Sequence, residues 1–332
     1  MVGSDLSKSE ILKELLGKKH INGSDLAFRL GITRAAVWKS IRSLREEGFV
    51  ISSKPNGGYS LGEVPDILLP ELIRAHLEDR SWNITVHERI DSTNSEAKRL
   101  SETGLPDKSA ILAAEQTGGR GRLGRSFVSK KGLGLYLTAV FKPEGSPESI
   151  SVATALTAVA VRRAIARTTG LSPQIKWTND LVLNGKKLCG ILTELSVEGE
   201  SGNIQYMATG IGINTAYEPE DFSREIRDFC TSLSMEGKKV ARAALAAAVL
   251  DELSRIYSNG RFTADLKEYH SEYERSCVTI GREVSVIRGT EKRRGKAVGL
   301  DDSFGLIVDF GDGLPVTVTS GEVSVRGLYG YV

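Results

Sequence analysis

Ser109-Ala110-Ile111-Leu112-Ala113-Ala114 is an apolar run of strand type, and it leads into Gly118-Gly119-Arg120-Gly121-Arg122-Leu123-Gly124-Arg125. Four glycines packed among three arginines suit this loop to wrap an anion. Glycine lets backbone N–H groups approach a phosphate or carboxylate with no Cβ in the way, and interleaved guanidinium groups add charge-assisted, often bidentate hydrogen bonds. The same composition also serves a solvated surface loop. The residues downstream separate these two possibilities.

A chain of 332 residues is long for one core, so two or three domains are expected. The net charge of +2 argues against a globally basic nucleic-acid protein. Charge is uneven, however: residues 1–62 hold ten Lys/Arg against six Asp/Glu. Cys189, Cys230 and Cys277 are odd in number and widely spaced, which gives neither a disulfide framework nor a zinc pattern and suits a reducing, cytoplasmic setting. The N-terminus carries no cleavable apolar segment, and the run from Val152 to Ala166 is broken by Arg162 and Arg163, so no membrane association is expected. His20, His76, His87 and His270 match no metal-ligand spacing; no metal site is expected and the histidines receive no role.

The first sixty residues have the pattern of a DNA reader. Ser7 and Glu10 have capping-box spacing ahead of Ile11, Leu12, Leu15 and Leu16, which predicts a first helix. Ser24 opens a second helix carrying Leu26, Ala27 and Leu30; Gly31 ends it, and Thr33 caps a third. On that third helix Val37, Ile41 and Leu44 form an apolar stripe, while Arg34, Trp38, Lys39, Arg42 and Arg45 point away from it, as a major-groove helix requires. Two extended runs, Phe49–Ser53 and Gly58–Leu61, joined through Lys54, Pro55, Asn56 and Gly57, then form a wing with Lys54 near its tip. Trp38 serves either the groove or packing against the wing. A helical domain with a merely solvated or protein-binding basic face is the competing reading.

Apolar β-rich runs alternate with helices from Leu68 to Thr215. Thr93 and Glu96 again have capping-box spacing, placing Asp91-Ser92-Thr93-Asn94 at a strand-to-helix junction. Gly132–Phe141 reads as a strand and Pro147–Thr169 as a buried alanine-rich helix. Gln174-Ile175-Lys176-Trp177-Thr178-Asn179-Asp180 leads into Leu181-Val182-Leu183; an Asn184-Gly185 turn returns the chain as Lys186–Leu192, bringing Lys176, Asp180 and Lys187 within reach of one another. A strand follows at Ala208–Asn214. Glu218–Cys230 is a charged segment with Phe222 and Phe229, and helical periodicity runs from Val240 to Tyr273. From Val278 to Val332, alternation at Glu283–Ile287, Gly305–Phe310, Val316–Val318 and Glu322–Val325 predicts a small SH3-like β-barrel.

Taken together, Asp91-Ser92-Thr93-Asn94, Glu115-Gln116, the Gly119–Gly124 loop, Lys176–Asp180, Lys187–Leu192 and Gly210-Ile211-Gly212-Ile213-Asn214 resemble the biotin protein ligases in order and spacing across residues 88–214. With its N-terminal domain the chain resembles the bifunctional members, which are both ligase and repressor of the biotin genes. Two departures are visible: Thr178 stands where the family often has proline, and Phe127 where some members place tryptophan.

The resemblance implies an α+β chain of three parts. These are a winged helix-turn-helix over residues 1–62, a mixed α/β ligase domain of the class II synthetase/biotin ligase type over 63–277, and the SH3-like barrel over 278–332. It implies ATP-dependent activation of biotin to biotinyl-5′-AMP, with Mg²⁺ carried as Mg-ATP, and transfer to a lysine of a biotin carboxyl carrier protein. Ser92, Thr93, Asn94, Gln116, Arg120 and Lys187 match biotin-binding positions; Arg120, Arg122, Phe127, Lys176, Asn179 and Asn214 match adenylate-binding ones. Arg120, Arg122, Lys187 and Asp180 are the expected catalytic groups. The cations meet charge that grows at the α-phosphate, and Asp180 either handles the incoming amine or binds a magnesium–phosphate unit. Lys176 serves the nucleotide or simply pairs with Asp180. Thr33, Arg34, Trp38, Lys39, Arg42 and Lys54 are the expected DNA contacts, on operator DNA read by an adenylate-bound homodimer. Glu218–Cys230 closes over the adenylate, or forms only a plain surface helix. Arg326 or its neighbours assist ATP or acceptor binding, or the C-terminal domain only covers the core. A lipoate or octanoate ligase of the same fold, and a ligand-sensing transcription factor without ligase activity, remain the alternatives.

Overall fold

The structure, a computed structural model, describes residues 2–54, 58–144, 149–197, 204–319 and 323–327. The chain divides into two compact units, Met1–His76 and Leu77–Val332.

In the first unit, α1 (Val2–Gly17), α2 (Gly23–Leu30) and α3 (Arg34–Glu46) precede a wing of β1 (Ile51–Lys54) and β2 (Gly58–Leu61). Helix α1 begins ahead of Ser7, so the Ser7/Glu10 spacing lies inside the helix and starts nothing. Helix α2 is capped by Asn22, whose side chain accepts from the Ser24 N–H, and not by Ser24 itself. Gly31 ends α2 in the left-handed region at φ 63°, and the Thr33 hydroxyl caps α3 by accepting from the Ala36 N–H. Val37, Ile41 and Leu44 are buried with Ile11, Leu12, Leu15 and Leu26, the common core of the three helices. The wing tip, 55–57, lies outside the described residues, as does the Lys54 side chain. A fourth helix, α4 (Pro70–His76), packs on α1 and buries Leu72 and Ile73, which extends this unit past residue 62 to His76.

The second unit is built on a seven-stranded mixed sheet. Its strands are β3 (Asn83–His87), β4 (Ser109–Ala113), β5 (Gly134–Phe141), β6 (Gln174–Lys176), β7 (Asp180–Leu183), β8 (Lys186–Val197) and β9 (Ile204–Asn214), in the order β3-β4-β5-β9-β8-β7-β6. Only β3 and β4 run parallel. Helix α5 (Thr93–Ser101) follows β3, and α6 (Ser149–Thr169) and α7 (Arg242–Ile256) pack together; Ala153 and Ala160 of the first and Ala246 and Ala247 of the second are buried. The helical stretch expected from Val240 to Tyr273 is interrupted. Asn259 and Gly260, both at positive φ, turn a short hairpin of β10 (Tyr257–Ser258) and β11 (Arg261–Phe262) before α8 (Leu266–Ser276) begins.

The C-terminal segment is an antiparallel sheet of β12 (Glu283–Arg288), β13 (Glu291–Leu300), β14 (Leu306–Asp309), β15 (Val316–Val318) and β16 (Val323–Gly327), ordered β15-β14-β13-β12-β16. Its two edge strands do not pair among the described residues. Strand β13 was not expected, because its charged first half hides the alternation: Gly295 and Ala297 are buried, while Lys292, Arg294 and Lys296 are exposed. No helix among the described residues is long and apolar enough to cross a membrane.

Candidate active site

A cavity of about 320 Å³ lies over β8 and β9. Its floor is glycine by necessity. Gly190 pairs with Gly212 and Leu192 with Gly210 across the two strands. A Cβ on Gly210 would lie 2.3 Å from Asn94 Oδ1, and one on Gly212 would lie 2.5 Å from the Phe127 ring. Every residue matched to biotin, nucleotide or catalysis lines this cavity: Ser92, Thr93, Asn94, Gln116, Arg120, Arg122, Phe127, Lys176, Asn179, Asp180, Lys187 and Asn214.

At one end, the N-terminus of α5 presents Ser92, Thr93 and Asn94, all buried. The expected capping box is absent: no side chain caps α5, and the Thr93 backbone N–H and hydroxyl both donate to Gln116 Oε1 at 2.8 and 3.0 Å. Gln116 Nε2 in turn donates to Ser129 Oγ at 2.9 Å, which fixes the amide orientation and leaves its other N–H for a ligand. Asn94 differs from expectation. Its Nδ2 donates to Glu194 Oε2 at 2.7 Å and to Leu192 O at 3.3 Å, and its Oδ1 accepts from Thr138 at 2.6 Å. Both amide N–H groups are thus used inside the protein, and the side chain braces β8.

The Gly/Arg loop forms a short ladder of its own. Phe127 N donates to Gly119 O, Gly121 N donates to Arg125 O, and Arg122–Gly124 forms a single 3₁₀ turn. Gly119 must be glycine because a Cβ would meet Phe127 O at 2.5 Å, and Gly124 because φ is +71°. Arg122 is drawn inward and donates to Asn179 Oδ1 at 3.1 Å. Burial lowers its guanidinium from the ordinary value, and Asp180 pulls it back up. Arg120 stays exposed and reaches Glu194 Oε2 at 3.4 Å.

The opposite wall comes from β6, β7 and β8. Lys176 pairs with Asp180 across the β6–β7 register, and the Trp177–Thr178 peptide between them is cis. Asn179 Nδ2 donates to Ile191 O at 2.7 Å, so this side chain is clamped between strand and loop. Lys187 Nζ lies 2.7 Å from Asp180 Oδ1. Asn214, buried at the end of β9, donates to Thr231 O at 2.9 Å and ties down the segment that roofs the cavity.

Three further features complete the site. The roof, 218–230, contains no α-helix; two 3₁₀ turns bring Phe222, Ile226, Phe229 and Cys230 into the lining. Tyr217 stacks on Phe222 and donates to Val128 O at 2.9 Å, joining that roof to the irregular segment between the loop and β5. Trp177 is buried and anchors the C-terminal sheet: its indole donates to Phe304 O at 2.9 Å and its backbone N–H to Thr279 Oγ1 at 3.0 Å. The aromatic at Trp177 was the available signal; its partners, 102 and 127 residues away, were not.

Comparison with known proteins agrees with this geometry. The Biotin/lipoate A/B protein ligase family matches residues 86–214, an HTH domain matches 8–60, and a biotin protein ligase C terminal domain matches 279–326. The bifunctional ligase/repressor BirA of Bacillus subtilis is 33% identical over 319 residues, covering 92% of this chain and 96% of that protein. This chain belongs to the bifunctional ligase/repressor family. The Escherichia coli BirA is 32% identical over 307 residues, covering 92% of each chain. The solved biotin protein ligase from Aquifex aeolicus in complex with biotin and ATP superposes with a TM-score of 0.62 at 30% identity, over 74% of this chain and 99% of that one.

As in a ligase/repressor of this family, the cavity chemistry is accompanied by a helix-turn-helix unit. Arg34, Lys39 and Arg42 on α3 are exposed, and Trp38 is 56% exposed. Arg42 pairs with Glu46 at 2.9 Å and lies over the Trp38 ring at 5.9 Å. The Thr33 hydroxyl is engaged in the cap. Arg45, exposed on the outward basic face as expected, also clamps the wing: Nε and Nη2 both donate to Ile51 O, at 3.0 and 2.7 Å. Among the described residues, no group of three or more His, Cys, Asp or Glu is arranged to hold a metal.

Proposed function

We infer that this chain is an ATP-dependent biotin protein ligase that also represses transcription of the biotin genes. One observation carries the enzymatic reading: a single glycine-floored cavity gathers, from five separate segments, the residues that biotin activation requires. Biotin is an apolar bicycle with a polar ureido ring and a carboxylate tail, and it needs a largely apolar pocket with a few placed donors and acceptors. Ser92, Thr93 and Gln116 supply the polar end; Arg120 takes the carboxylate.

In the first step the biotin carboxylate attacks the α-phosphate of ATP, forming biotinyl-5′-AMP and releasing pyrophosphate. Lys187, Arg122 and Lys176 surround the charge that grows there, and fixed cations in a partly dry site are worth more than the same cations in water. The Phe127 ring offers a surface for the adenine. Magnesium arrives as Mg-ATP: Asp180 is the one carboxylate among the described lining residues, which suits an ion held mainly by substrate phosphates. In the second step a lysine amine of a biotin carboxyl carrier protein attacks the acyl carbon and AMP leaves, with Asp180 placed to take the amine's proton. The N-terminal unit binds operator DNA as part of an adenylate-bound homodimer in the cytoplasm.

Incubation of the full chain with ATP, labelled biotin and a biotin carboxyl carrier domain tests the reading. Label on the carrier, dependent on ATP, is expected. Transfer of lipoate or octanoate but not biotin, or ligand binding with no transfer at all, would overturn it.

A further inference from the structure

Glu194 follows Gly190 and Leu192 at period-two spacing on β8, just beyond the residues that line the cavity. Its surroundings are specific. Oε2 accepts from Asn94 Nδ2 at 2.7 Å, and Asn94 can reach it only because Gly210, beneath Asn94, has no Cβ. Asn94 is itself fixed by the buried Thr138 hydroxyl at 2.6 Å. The same Oε2 faces the Arg120 guanidinium at 3.4 Å. A braced carboxylate is therefore held against an exposed arginine of the loop at the cavity.

A neighbouring ion pair differs from this one in kind. Asp91 grips Arg99 through two hydrogen bonds of 2.7 and 2.9 Å, a fixed bidentate pair. Glu194 and Arg120 share one long contact, and both side chains are about half exposed, at 40% and 48%. A pair of that length and exposure contributes little and exchanges readily. Rigid placement from behind combined with a loose contact in front suits a group that is meant to be displaced.

We propose that Glu194 is a built-in competitor for Arg120, and that biotin's carboxylate and then the adenylate phosphate must take this guanidinium from it. The proposal rests on the biotin ligase reading. Its consequence is a loop that closes on an anion without trapping it, because Arg120 returns to Glu194 when AMP departs. Glu194 is thus a positioning residue, acting on the ligand through Arg120.

The test compares biotin with biotinol, which keeps the bicycle and replaces the carboxylate by a neutral alcohol. Glu194→Gln retains an oxygen for Asn94 and removes the charge. Titration calorimetry on the full chain should show biotin binding about two- to fivefold tighter in E194Q, the range of an exposed ion pair, with biotinol unchanged. In an Arg120→Ala background, E194Q should no longer alter biotin affinity. Glu194→Asp, which withdraws the carboxylate by one methylene, gives a second variant and should shift biotin in the same direction by less. Biotin affinity that is unchanged or weaker in E194Q, an equal shift for both ligands, or an effect that survives R120A would each overturn the proposal. A parent protein that binds neither ligand would instead overturn the biotin ligase reading beneath it.

Discussion

Lys187 Nζ reaches Asp180 Oδ1 at 2.7 Å because the β7–β8 ladder slips by one residue between them. Asp180 pairs with Gly190 and Leu181 with Cys189, but Val182 pairs with Lys187, leaving Leu188 as the extra residue of a bulge. In an unbroken strand, positions 187 and 190 would face opposite sides of the sheet. The bulge puts Lys187, Asp180 and Gly190 on the same face, the one that lines the cavity.

Lys187→Ala should therefore spare biotin binding to within a few-fold and abolish most of the ligase rate. Loss of one preorganised donor at a developing anion costs about 10²- to 10³-fold. Single-turnover formation of the adenylate measures it directly. Equal rates in mutant and parent would remove Lys187 from the chemistry.

Gly212→Ala places a methyl group 2.5 Å from the Phe127 ring. The ring must tilt off the cavity floor, and overpacking of this kind costs roughly 1–3 kcal/mol. The KM for ATP is expected to rise about tenfold, near the low end of that range, while binding of biotin alone changes less. Paired ATP and biotin titrations separate the two effects; an unchanged ATP KM would show that the ring does not meet the nucleotide.

Trp177→Phe keeps the buried ring and removes the donor to Phe304 O. A carbonyl left without its partner costs about 1–3 kcal/mol, so the urea midpoint should fall. Because Trp177 sits between Lys176 and Asp180, kcat should fall as well, even at temperatures where the variant is fully folded. A stability loss with full kcat would limit the C-terminal sheet to a supporting role.

On α3, Arg34→Ala and Lys39→Ala should each lower the magnitude of the salt slope of operator binding by about one. Arg45→Ala should behave differently: it releases the clamp on Ile51 O and should lower the melting temperature of the N-terminal unit. Mobility shifts across a salt series, set beside thermal melts, distinguish the two classes. A truncated chain beginning at Leu77 should lose operator binding and keep ligase activity, and it should be more soluble than one beginning at Glu63, which leaves Leu72 and Ile73 of α4 without α1.

Arg99 hydrogen-bonds Asp91 and holds its carboxyl at about 2, below the ordinary value of 3.8. A depressed carboxylate contributes stability above its unfolded pKa and loses it as pH falls toward the folded one. The loss should fall between roughly pH 4 and pH 2, and it should be modest because both groups are about half exposed. Arg99→Gln should raise the acid-unfolding midpoint slightly; an unchanged acid limb would show that the pair carries no stability.

Local rules were enough to read much of this protein from its residues. Thr33 capped its helix, Asn184-Gly185 turned its hairpin at positive φ, and the Gly/Arg loop followed its strand, because caps, turns and alternation act over a few neighbours. The motif residues, spread from Ser92 to Asn214, were legible as a set, since their side-chain chemistry is fixed whatever the distance between them. What the sequence left undecided depends on long-range pairing. Strand β13 hid behind its charges because only its neighbours in the sheet define an inside. Arg45 and Asn94 look like ligand groups until Ile51 and Glu194 arrive to claim their donors. A one-residue bulge at Leu188, invisible in composition and periodicity, decided which way Lys187 faces, because side-chain direction in a sheet follows from register and register is set by the partner strand.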